Sequence, residues 1–144
     1  MKGVYVHDLA QIVVSKGNVF HALKETDEGY VGFGEAYFSQ IESGAVKGWK
    51  RHNRFTLNIV VPVGRIRFVI YDDRKESNTY GQFMEHVLSP NGDYKRLTVA
   101  PGLWVAFQGL DRNTSILLDI IPEPHNQNEA DSLPLSSINF KFDL

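Results

Sequence analysis

Apolar and polar residues alternate with a period of two along most of this 144-residue chain, and this alternation limits the fold more than any other feature. The segment RIRFVIY (65–71) places its apolar side chains on one face of an extended strand, and FGEAYFSQ (33–40) has the same pattern. No segment carries a sustained 3.6-residue apolar repeat, although SQIESGAV (39–46) and GNVFHALKET (17–26) have room for a helical turn. The pattern predicts an all-β protein, an antiparallel sandwich or barrel.

Turn signals divide the second half of the chain into four further candidate strands, GQFMEHVLS, YKRLTVA, LWVAFQGL and SILLDIIPE. The signals are Asn91-Gly92, Pro101-Gly102 and Asp111–Asn113. Asn-Gly is the strongest hairpin signal of the three, because both residues tolerate a positive φ. We also expect the segments 57–63 and 65–71 to be neighbouring strands that turn near Val63-Gly64.

The tail after Ile121 is polar and interrupted by prolines, yet it ends with apolar side chains at alternate positions. Ile138, Phe140 and Phe142 are expected to pack as a last strand or as a strap across the fold. We find no internal repeat, linker or low-complexity segment. Residues 1–144 are therefore expected to form a single domain.

Composition and charge exclude several classes of protein. Hydrophobic residues make up 42% of the chain and charged residues 22%, which suits a globular protein with a core. A formal charge of -2 gives no overall attraction to nucleic acid or to an anionic membrane. No apolar run approaches the ~18 residues of a membrane helix, and the chain has no cysteine. We expect a cytoplasmic protein without nucleic-acid or membrane partners.

A cationic cluster precedes the strands of the central region. Its members are Lys47, Lys50, Arg51, His52 and Arg54. The cluster has three interpretations: catalysis, binding of an anionic ligand, or a solvated surface. Lys50 is either a base or Schiff-base lysine, if burial lowers its pKa, or a cation at the mouth of a pocket. His52 shares strand parity with Lys50, and it is either a titrating group in a cavity or a hydrogen-bonded wall residue.

The order of the segments KGNVF, GFGEAYFSQIESGAVKGWK, VPVGRIRFVIYDDRKESNTYGQF, VAPGLWVAF and IIPEPHNQNEADSLPL resembles the dTDP-4-dehydrorhamnose 3,5-epimerase family of cupins. The likeness covers almost the whole chain, and its most specific pieces are Lys47-Gly48, Gly64, Asp72–Arg74, Thr79–Gln82 and Pro101-Gly102. The resemblance implies a cupin jelly roll, a homodimer in which an N-terminal segment reaches over the partner, and a pocket for a nucleotide-linked sugar. It also implies chemistry without a metal or other cofactor: a histidine base, a lysine that stabilises an enolate and a tyrosine acid.

The chain departs from this family pattern at the positions that carry the chemistry. The residues found there are Lys50 at the base, Thr56 near the enolate-stabilising lysine, Phe68 at the acidic partner of the histidine, Val105 at a second pocket histidine and Leu118 near the tyrosine acid. His52 follows the base position by two residues. The phosphate-binding arginines of the family correspond to Lys16 and Lys47. Histidine, with an ordinary pKa of ~6.5, suits proton abstraction beside a ketone better than lysine at ~10.4.

A metal-dependent cupin would need two histidines at i and i+2, then a glutamate and a later histidine. Lys50 and Val105 occupy two of those positions, and Phe55–Leu57 supplies no carboxylate. Because His52 alone remains, we expect no metal site.

Two further groups of residues have both a functional and a structural interpretation. Asp72 shares parity with the apolar residues of its strand, so it is either a carboxylate at the cavity rim paired with Lys50 or a turn-capping residue. Trp49 and Trp104, together with Tyr37 and Phe107, form either an aromatic wall for a base or sugar ring or part of an ordinary core.

The sequence therefore predicts a metal-free nucleotide-sugar epimerase or isomerase that acts on or binds a dTDP-linked or similar keto-deoxysugar in surface polysaccharide (lipopolysaccharide) biosynthesis. The predicted catalytic residues are Lys50, His52 and Asp72, and the predicted substrate-binding residues are Lys16, Lys47, Trp49, Arg51 and Trp104. The alternative is an inactive cupin that binds a sugar nucleotide or a partner protein. Lys50 and His52 projecting into an open cavity favours the enzyme. A cavity plugged by Phe68, Trp104 and Leu118 favours the alternative.

Overall fold

The computed structural model describes residues 1–143, which contain twelve β-strands and no α-helix. The strands are β1 (Val4–Asp8), β2 (Gln11–Ile12), β3 (Val19–Phe20), β4 (Glu35–Ile41), β5 (Val46–His52), β6 (Leu57–Val63), β7 (Ile66–Tyr71), β8 (Phe83–Leu88), β9 (Lys95–Val99), β10 (Trp104–Gly109), β11 (Ser115–Ile121) and β12 (Ala130–Ser132). The two segments with room for a helical turn form strand and turn instead. Within residues 1–143, no helix has the length and apolar character needed to cross a membrane.

Two five-stranded antiparallel sheets form the fold and confirm the predicted all-β jelly roll. Sheet A has the strand order β1-β9-β6-β11-β4, and sheet B has the order β12-β5-β10-β7-β8. β2 and β3 form a separate hairpin. The main core lies between the two sheets, where inward-facing side chains such as Ile59, Phe68, Ile70, Leu97 and Leu117 pack together.

The turn at Gly64 corrects one prediction: β6 and β7 follow each other in the chain but lie in different sheets. Gly64 has a φ of 85°, and a Cβ atom there would collide with the side chain of Ser115, so the crossing requires glycine. The Ser115 hydroxyl accepts a hydrogen bond from the Arg65 main-chain N–H at 3.0 Å and fixes the crossing.

The Asn91-Gly92 hairpin prediction is wrong for the same reason. β8 belongs to sheet B and β9 to sheet A, so this turn also carries the chain from one sheet to the other. A hairpin signal depends only on the local backbone, whereas the choice between pairing and crossing depends on which core each strand faces.

The C-terminal tail confirms the predicted strap. After β12 and a short 3₁₀ turn (Leu135–Ser137), Ile138 and Phe142 are buried against the outer face of sheet B. They complete a second apolar cluster with Trp49 and Trp104. The strap therefore closes the face of sheet B that points away from the main core.

Candidate functional site

Side chains of β5 alternate between its two faces, and its pairing with β10 contains one irregularity. These two features determine which members of the cationic cluster face the interior. Lys50 pairs with Val105 of β10 and Lys47 pairs with Phe107, with a shift of register between them. This β-bulge puts Gly48 and Trp49 together on the outer face, where a Cβ on Gly48 would lie 2.7 Å from the Cβ of Ala106. Lys47 and Lys50 therefore share the inner face even though they are three residues apart.

Lys50 and His52 line a cavity of about 190 Å³ between the two sheets. Its polar lining residues are Tyr37, Ser39, Lys50, His52 and Asp119, and its apolar lining residues are Leu57, Ile59, Phe68, Val105, Phe107 and Leu117. The cavity is open, although Phe68 forms part of its wall. The residues predicted to plug it with Phe68 lie elsewhere: Trp104 packs in the outer cluster, and Leu118 has the opposite parity to Leu117 and Asp119 on β11.

A buried histidine and carboxylate form the first polar pair of the cavity. The Nδ1 atom of His52 lies 2.6 Å from Oε1 of Glu129, a residue of the tail. The other carboxylate oxygen accepts hydrogen bonds from the main-chain N–H groups of Arg54 and Phe55, each at 2.8 Å. Burial alone would raise the pKa of Glu129, but these main-chain bonds and His52 together hold it below its ordinary value.

The contact with ionised Glu129 sets the tautomer of His52. A neutral imidazole that donates from Nδ1 keeps its free lone pair on Nε2, which is the arrangement a general base requires. Burial lowers the pKa of His52 below 6.5, and the effect of burial outweighs the opposing influence of Glu129. His52 is therefore neutral at pH 7.

A phenol and a carboxyl group form the second polar pair, on the opposite wall. The Tyr37 hydroxyl of β4 donates to Oδ2 of Asp119 of β11 at 3.0 Å. Burial raises the pKa of Asp119 to about 6, although the hydrogen bond from Tyr37 opposes the rise. Burial and the neighbouring Asp119 also raise the pKa of Tyr37, so the phenol keeps its proton at neutral pH.

Asp72 does not reach the cavity, which corrects its predicted catalytic role and its ion pair with Lys50. It is fully buried beside the turn after β7. Its carboxylate accepts hydrogen bonds from the Arg74 Nε at 2.8 Å, from the Ser77 hydroxyl at 2.6 Å and from the hydroxyl of Thr79. The Arg74 guanidinium holds the pKa of Asp72 well below its usual range. The turn-capping interpretation is the one that fits these contacts.

Trp49, Arg51 and Trp104, three of the predicted substrate-binding residues, lie on the outer face of sheet B and do not line the cavity. Trp49 is completely buried under the strap. The Arg51 guanidinium stacks 4.6 Å from the centre of the Trp104 ring and binds Asp131 at 2.8 Å. The Trp104 indole donates to Asp73 at 2.9 Å. Of the fully buried side-chain N and O atoms on this face, only the Arg51 Nε lacks a hydrogen-bond partner within the part of the chain described.

The remaining cations of the cluster, and Lys16 outside it, lie at the surface. Lys47 is exposed on the inner face, and its Nζ donates to the main-chain oxygen of Gln40 at 2.7 Å. Arg54 forms a surface ion pair with Glu123 at 3.0 Å. Lys16 lies between β2 and β3 with a φ of 75°, and it does not line the cavity of its own chain. The predicted phosphate contacts of Lys16 and Lys47 stay predictions.

Three members of the site have no role, or a different role, in the sequence-based prediction. Tyr37 had been grouped with the aromatic wall, whereas Asp119 and Glu129 had no assigned role. Asp119 lies in the alternating segment SILLDII, where parity with Leu117 and Ile121 indicates an inward position. Glu129 carries no comparable signal, because it lies 77 residues from His52 in an irregular tail. Among residues 1–143 no group of three His, Cys, Asp or Glu side chains is arranged to hold a metal ion.

Comparisons with known proteins agree with the fold. A dTDP-sugar isomerase from Desulfovibrio desulfuricans G20 superposes with a TM-score of 0.95 and 32% identity, over 98% of this chain and 91% of that one. The 3,5-epimerase of Sulfolobus tokodaii, at 22% identity and a TM-score of 0.84 over 97% of this chain and 82% of that one, shows the same fold.

In sequence, the probable low-salt glycan biosynthesis epimerase Agl13 of Haloferax volcanii is 27% identical over 132 residues, which are 89% of this chain and 83% of that protein. No family model matches the chain. The identity and coverage of the Desulfovibrio enzyme carry the assignment: the chain belongs to the dTDP-4-dehydrorhamnose 3,5-epimerase-like cupin family of nucleotide-sugar epimerases and isomerases.

Proposed function

We propose that this protein is a nucleotide-sugar epimerase or isomerase that acts, without a metal ion, on a dTDP-linked keto-deoxysugar. We place it in the cytoplasm, on a route to surface polysaccharide. The observation that carries the proposal is the cavity lined by His52 of sheet B, which Glu129 of the tail holds, and by the Tyr37–Asp119 pair of sheet A. A neutral base on one wall and a protonated phenol on the other suit proton transfer at a carbon next to a ketone.

His52 is the base in this proposal, and Lys50 is not. Neutral His52 takes the proton from the carbon beside the carbonyl group through Nε2, while Glu129 holds the ring and stabilises the imidazolium that forms. Lys50 lines the same wall, and its ammonium group offsets the negative charge that develops on the carbonyl oxygen. Lys50 thus takes the enolate-stabilising role that the family resemblance had placed near Thr56.

Tyr37 is the acid on the opposite wall. It gives a proton to the enolate carbon from the side that faces sheet A, whereas His52 removes one from the side that faces sheet B. Removal on one face and delivery on the other inverts the configuration of that carbon, so this geometry supports epimerisation more than a proton shuttle on a single face. The tyrosine acid that the family resemblance had placed near Leu118 is therefore supplied by Tyr37 in this proposal.

The size of the cavity fits the sugar and not the whole nucleotide sugar. A volume of about 190 Å³ is smaller than the roughly 300–1,000 Å³ of pockets that enclose a whole drug-sized ligand. One pyranose ring fills such a space, and the nucleoside diphosphate lies outside it. Lys16 and Lys47 stay our candidates for the phosphates, because ammonium groups at the surface bind phosphate oxygens as point charges.

The inactive-cupin alternative receives less support than the enzyme. A scaffold that had lost catalysis has no reason to keep four ionisable side chains around an open cavity, where burial of each one lowers stability. The groups that stand at the family's catalytic positions differ here, but histidine, lysine and tyrosine are all present in the cavity from other positions.

We further propose that the protein is a homodimer. The hairpin formed by β2 and β3 projects with apolar side chains in solvent: Ile12, Val13, Val14, Val19 and Phe20 are all exposed, and Val13 is 83% exposed. Such a patch on a monomer is costly and is commonly covered by a second subunit. Sedimentation at micromolar concentration should give a dimer that Val13→Asp weakens. A wild-type monomer under the same conditions contradicts the proposal.

The experiment that tests the proposed activity is incorporation of solvent deuterium. Purified protein is incubated in D₂O with dTDP-linked 4-keto-6-deoxyhexoses, and proton NMR follows the signals of the carbons next to the ketone. The proposal predicts loss of at least one of these signals, and it predicts the appearance of an epimer or isomer. No exchange into any of these sugars, by a protein that binds them in a thermal-shift assay, contradicts the enzyme and favours the alternative.

A further inference from the structure

Asp119 is the one titratable group of the cavity to which the proposed mechanism gives no task. We infer that Asp119 acts as a positioning residue behind Tyr37, reloading the phenol with a proton through their hydrogen bond, so that the acid half of the reaction depends on a protonated Asp119. This inference rests on the proposed function, and it adds a group that controls only one of the two proton transfers.

The Asp119 carboxyl group is buried, and Tyr37 is the side chain to which it is hydrogen-bonded. The side chain is only 7% exposed, and its Oδ2 accepts the Tyr37 hydroxyl at 3.0 Å. Its Oδ1 is buried without a hydrogen-bond partner among residues 1–143. A buried carboxyl group with half of its hydrogen-bonding capacity unused lowers stability, and buried polar groups left in this state concentrate at functional sites.

The titratable groups around the Tyr37–Asp119 pair come from two strands and the tail. They are Glu35 on β4, Lys50 and His52 on β5, and Glu129 behind His52. Leu57 and Ile59 of β6 present only apolar surface to the cavity. Lys50 favours the ionised form of Asp119, but burial outweighs it and raises the pKa to about 6. Both protonation states are therefore accessible between pH 5 and 7.

The protonation state of Asp119 decides where the Tyr37 proton points. An ionised Asp119 accepts that proton and holds it away from the substrate, and its charge also makes the phenol a weaker acid. A neutral Asp119 donates its own proton to the Tyr37 oxygen, which leaves the phenolic proton free for the cavity. The carboxyl group thus switches the phenol between a locked and a competent donor.

The proton transfers balance without any other reactant. His52 gains the proton that the substrate carbon loses. Tyr37 then gives its proton to the enolate carbon while the Asp119 carboxyl proton moves to the Tyr37 oxygen, which leaves an Asp119 carboxylate and a His52 imidazolium. Water takes one proton from His52 and returns one to Asp119, and no atom changes its oxidation state.

The test separates the two halves of the reaction by pH. Exchange of the substrate proton with D₂O reports His52 alone, whereas formation of the inverted product also needs Tyr37. In the wild type, the rate of product formation should fall about tenfold per pH unit above the Asp119 pKa, because a single group must stay protonated. This fall is the alkaline limb of the pH–rate profile, and the rate of exchange should not show it. Asp119→Asn should abolish the alkaline limb, lower product formation at pH 6 by at least tenfold and leave exchange largely intact.

The matched control is Glu35→Gln, which changes a carboxyl group to an amide two residues from Tyr37 on the same strand and outside the cavity lining. It should leave the alkaline limb in place. Suppose that product formation by Asp119→Asn still falls at alkaline pH as in the wild type, or that exchange and product formation fall by the same factor. Either result contradicts the proton relay from Asp119 to Tyr37 but not the proposed enzymatic activity. No exchange by the wild type overturns the proposed function instead.

A second measurement tests the relay without substrate. With tyrosine labelled at ¹³Cζ, the Tyr37 signal should shift with a midpoint near pH 6, because its hydrogen-bond partner titrates there. The shift should disappear in Asp119→Asn and persist in Glu35→Gln. A Tyr37 signal that does not move between pH 5 and 8 in the wild type overturns the inference. Circular dichroism shows that each variant is folded before either experiment is interpreted.

Discussion

The two faces of β5 use neighbouring residues for opposite purposes. On the outer face, Trp49 and Arg51 are buried or paired, and the strap fills the space above them. On the inner face, Lys50 and His52 border an open cavity. One cationic stretch of sequence therefore contains a packing element and a candidate site, separated only by strand parity and one bulge.

The same contrast holds for the two buried aspartates. Asp72 is saturated by Arg74 and two hydroxyl groups, so its charge is stabilised. Asp119 has Tyr37 as its single side-chain hydrogen-bond donor within residues 1–143, and its charge is penalised. A group whose charge is fully satisfied holds the fold, whereas a group left partly unsatisfied is available for chemistry.

The outer face should dominate stability. Trp49→Ala should lower the free energy of unfolding by about 3–5 kcal/mol, because it removes the largest fully buried side chain of the chain and leaves a cavity under the strap. Urea denaturation measures the change. Phe107→Ala, on the half-buried cavity wall, is the control and should lower it less. A loss below about 1 kcal/mol for Trp49→Ala would show that the strap does not pack as described.

The aspartates should respond to pH with opposite signs. The folded-state pKa of Asp119 lies near 6 against 3.8 for the free group, so its stabilising contribution is complete below about pH 4 and is lost as the pH rises through 6. At 1.36 kcal/mol per unit, Asp119→Asn should be more stable than the wild type by roughly 3 kcal/mol at pH 7.5 and equal to it at pH 4.

Asp72→Asn is the matched comparison. The pKa of Asp72 is depressed, so its contribution is present at neutral pH and is lost only in strong acid. This variant should therefore be less stable than the wild type at pH 7.5, with a gap that narrows as the pH falls below 4. Thermal unfolding across the pH range measures both variants. Equal pH profiles for the two variants contradict the distinction drawn between these carboxylates.

Parity explains both what the sequence could predict and what it could not. Lys50 and His52 share a face because both follow the bulge, so simple alternation places them together. Simple alternation would place Lys47 on the outer face, but the bulge at Gly48 and Trp49 shifts the register and puts it on the inner face. A bulge leaves no reliable mark in a single sequence, and one residue of slip exchanges the two faces.

A difference of one residue in the alignment with the family also explains why the acid of the site was not predicted. The family tyrosine was placed near Leu118, which faces outward, while the inward position beside it is Asp119. The phenol instead comes from Tyr37 on the adjacent strand β4, where Tyr37 pairs directly with Asp119. Two positions that are distant in the chain lie side by side when they are on neighbouring strands, so either one can place a side chain at the same point of the cavity. A residue-by-residue comparison therefore finds the acid missing near Leu118, although Tyr37 supplies one in the structure.

The central claim is that the inner face of β5 carries the chemistry and the outer face does not. The most direct test compares solvent-deuterium incorporation into a dTDP-linked 4-keto-6-deoxyhexose by the wild type, His52→Gln and Arg51→Gln, whose parent residues are adjacent in sequence and opposite in direction. The account predicts a loss of about 10²–10⁴-fold for His52→Gln and a rate close to that of the wild type for Arg51→Gln. Retention of the rate by His52→Gln, or an equal loss in Arg51→Gln, contradicts it.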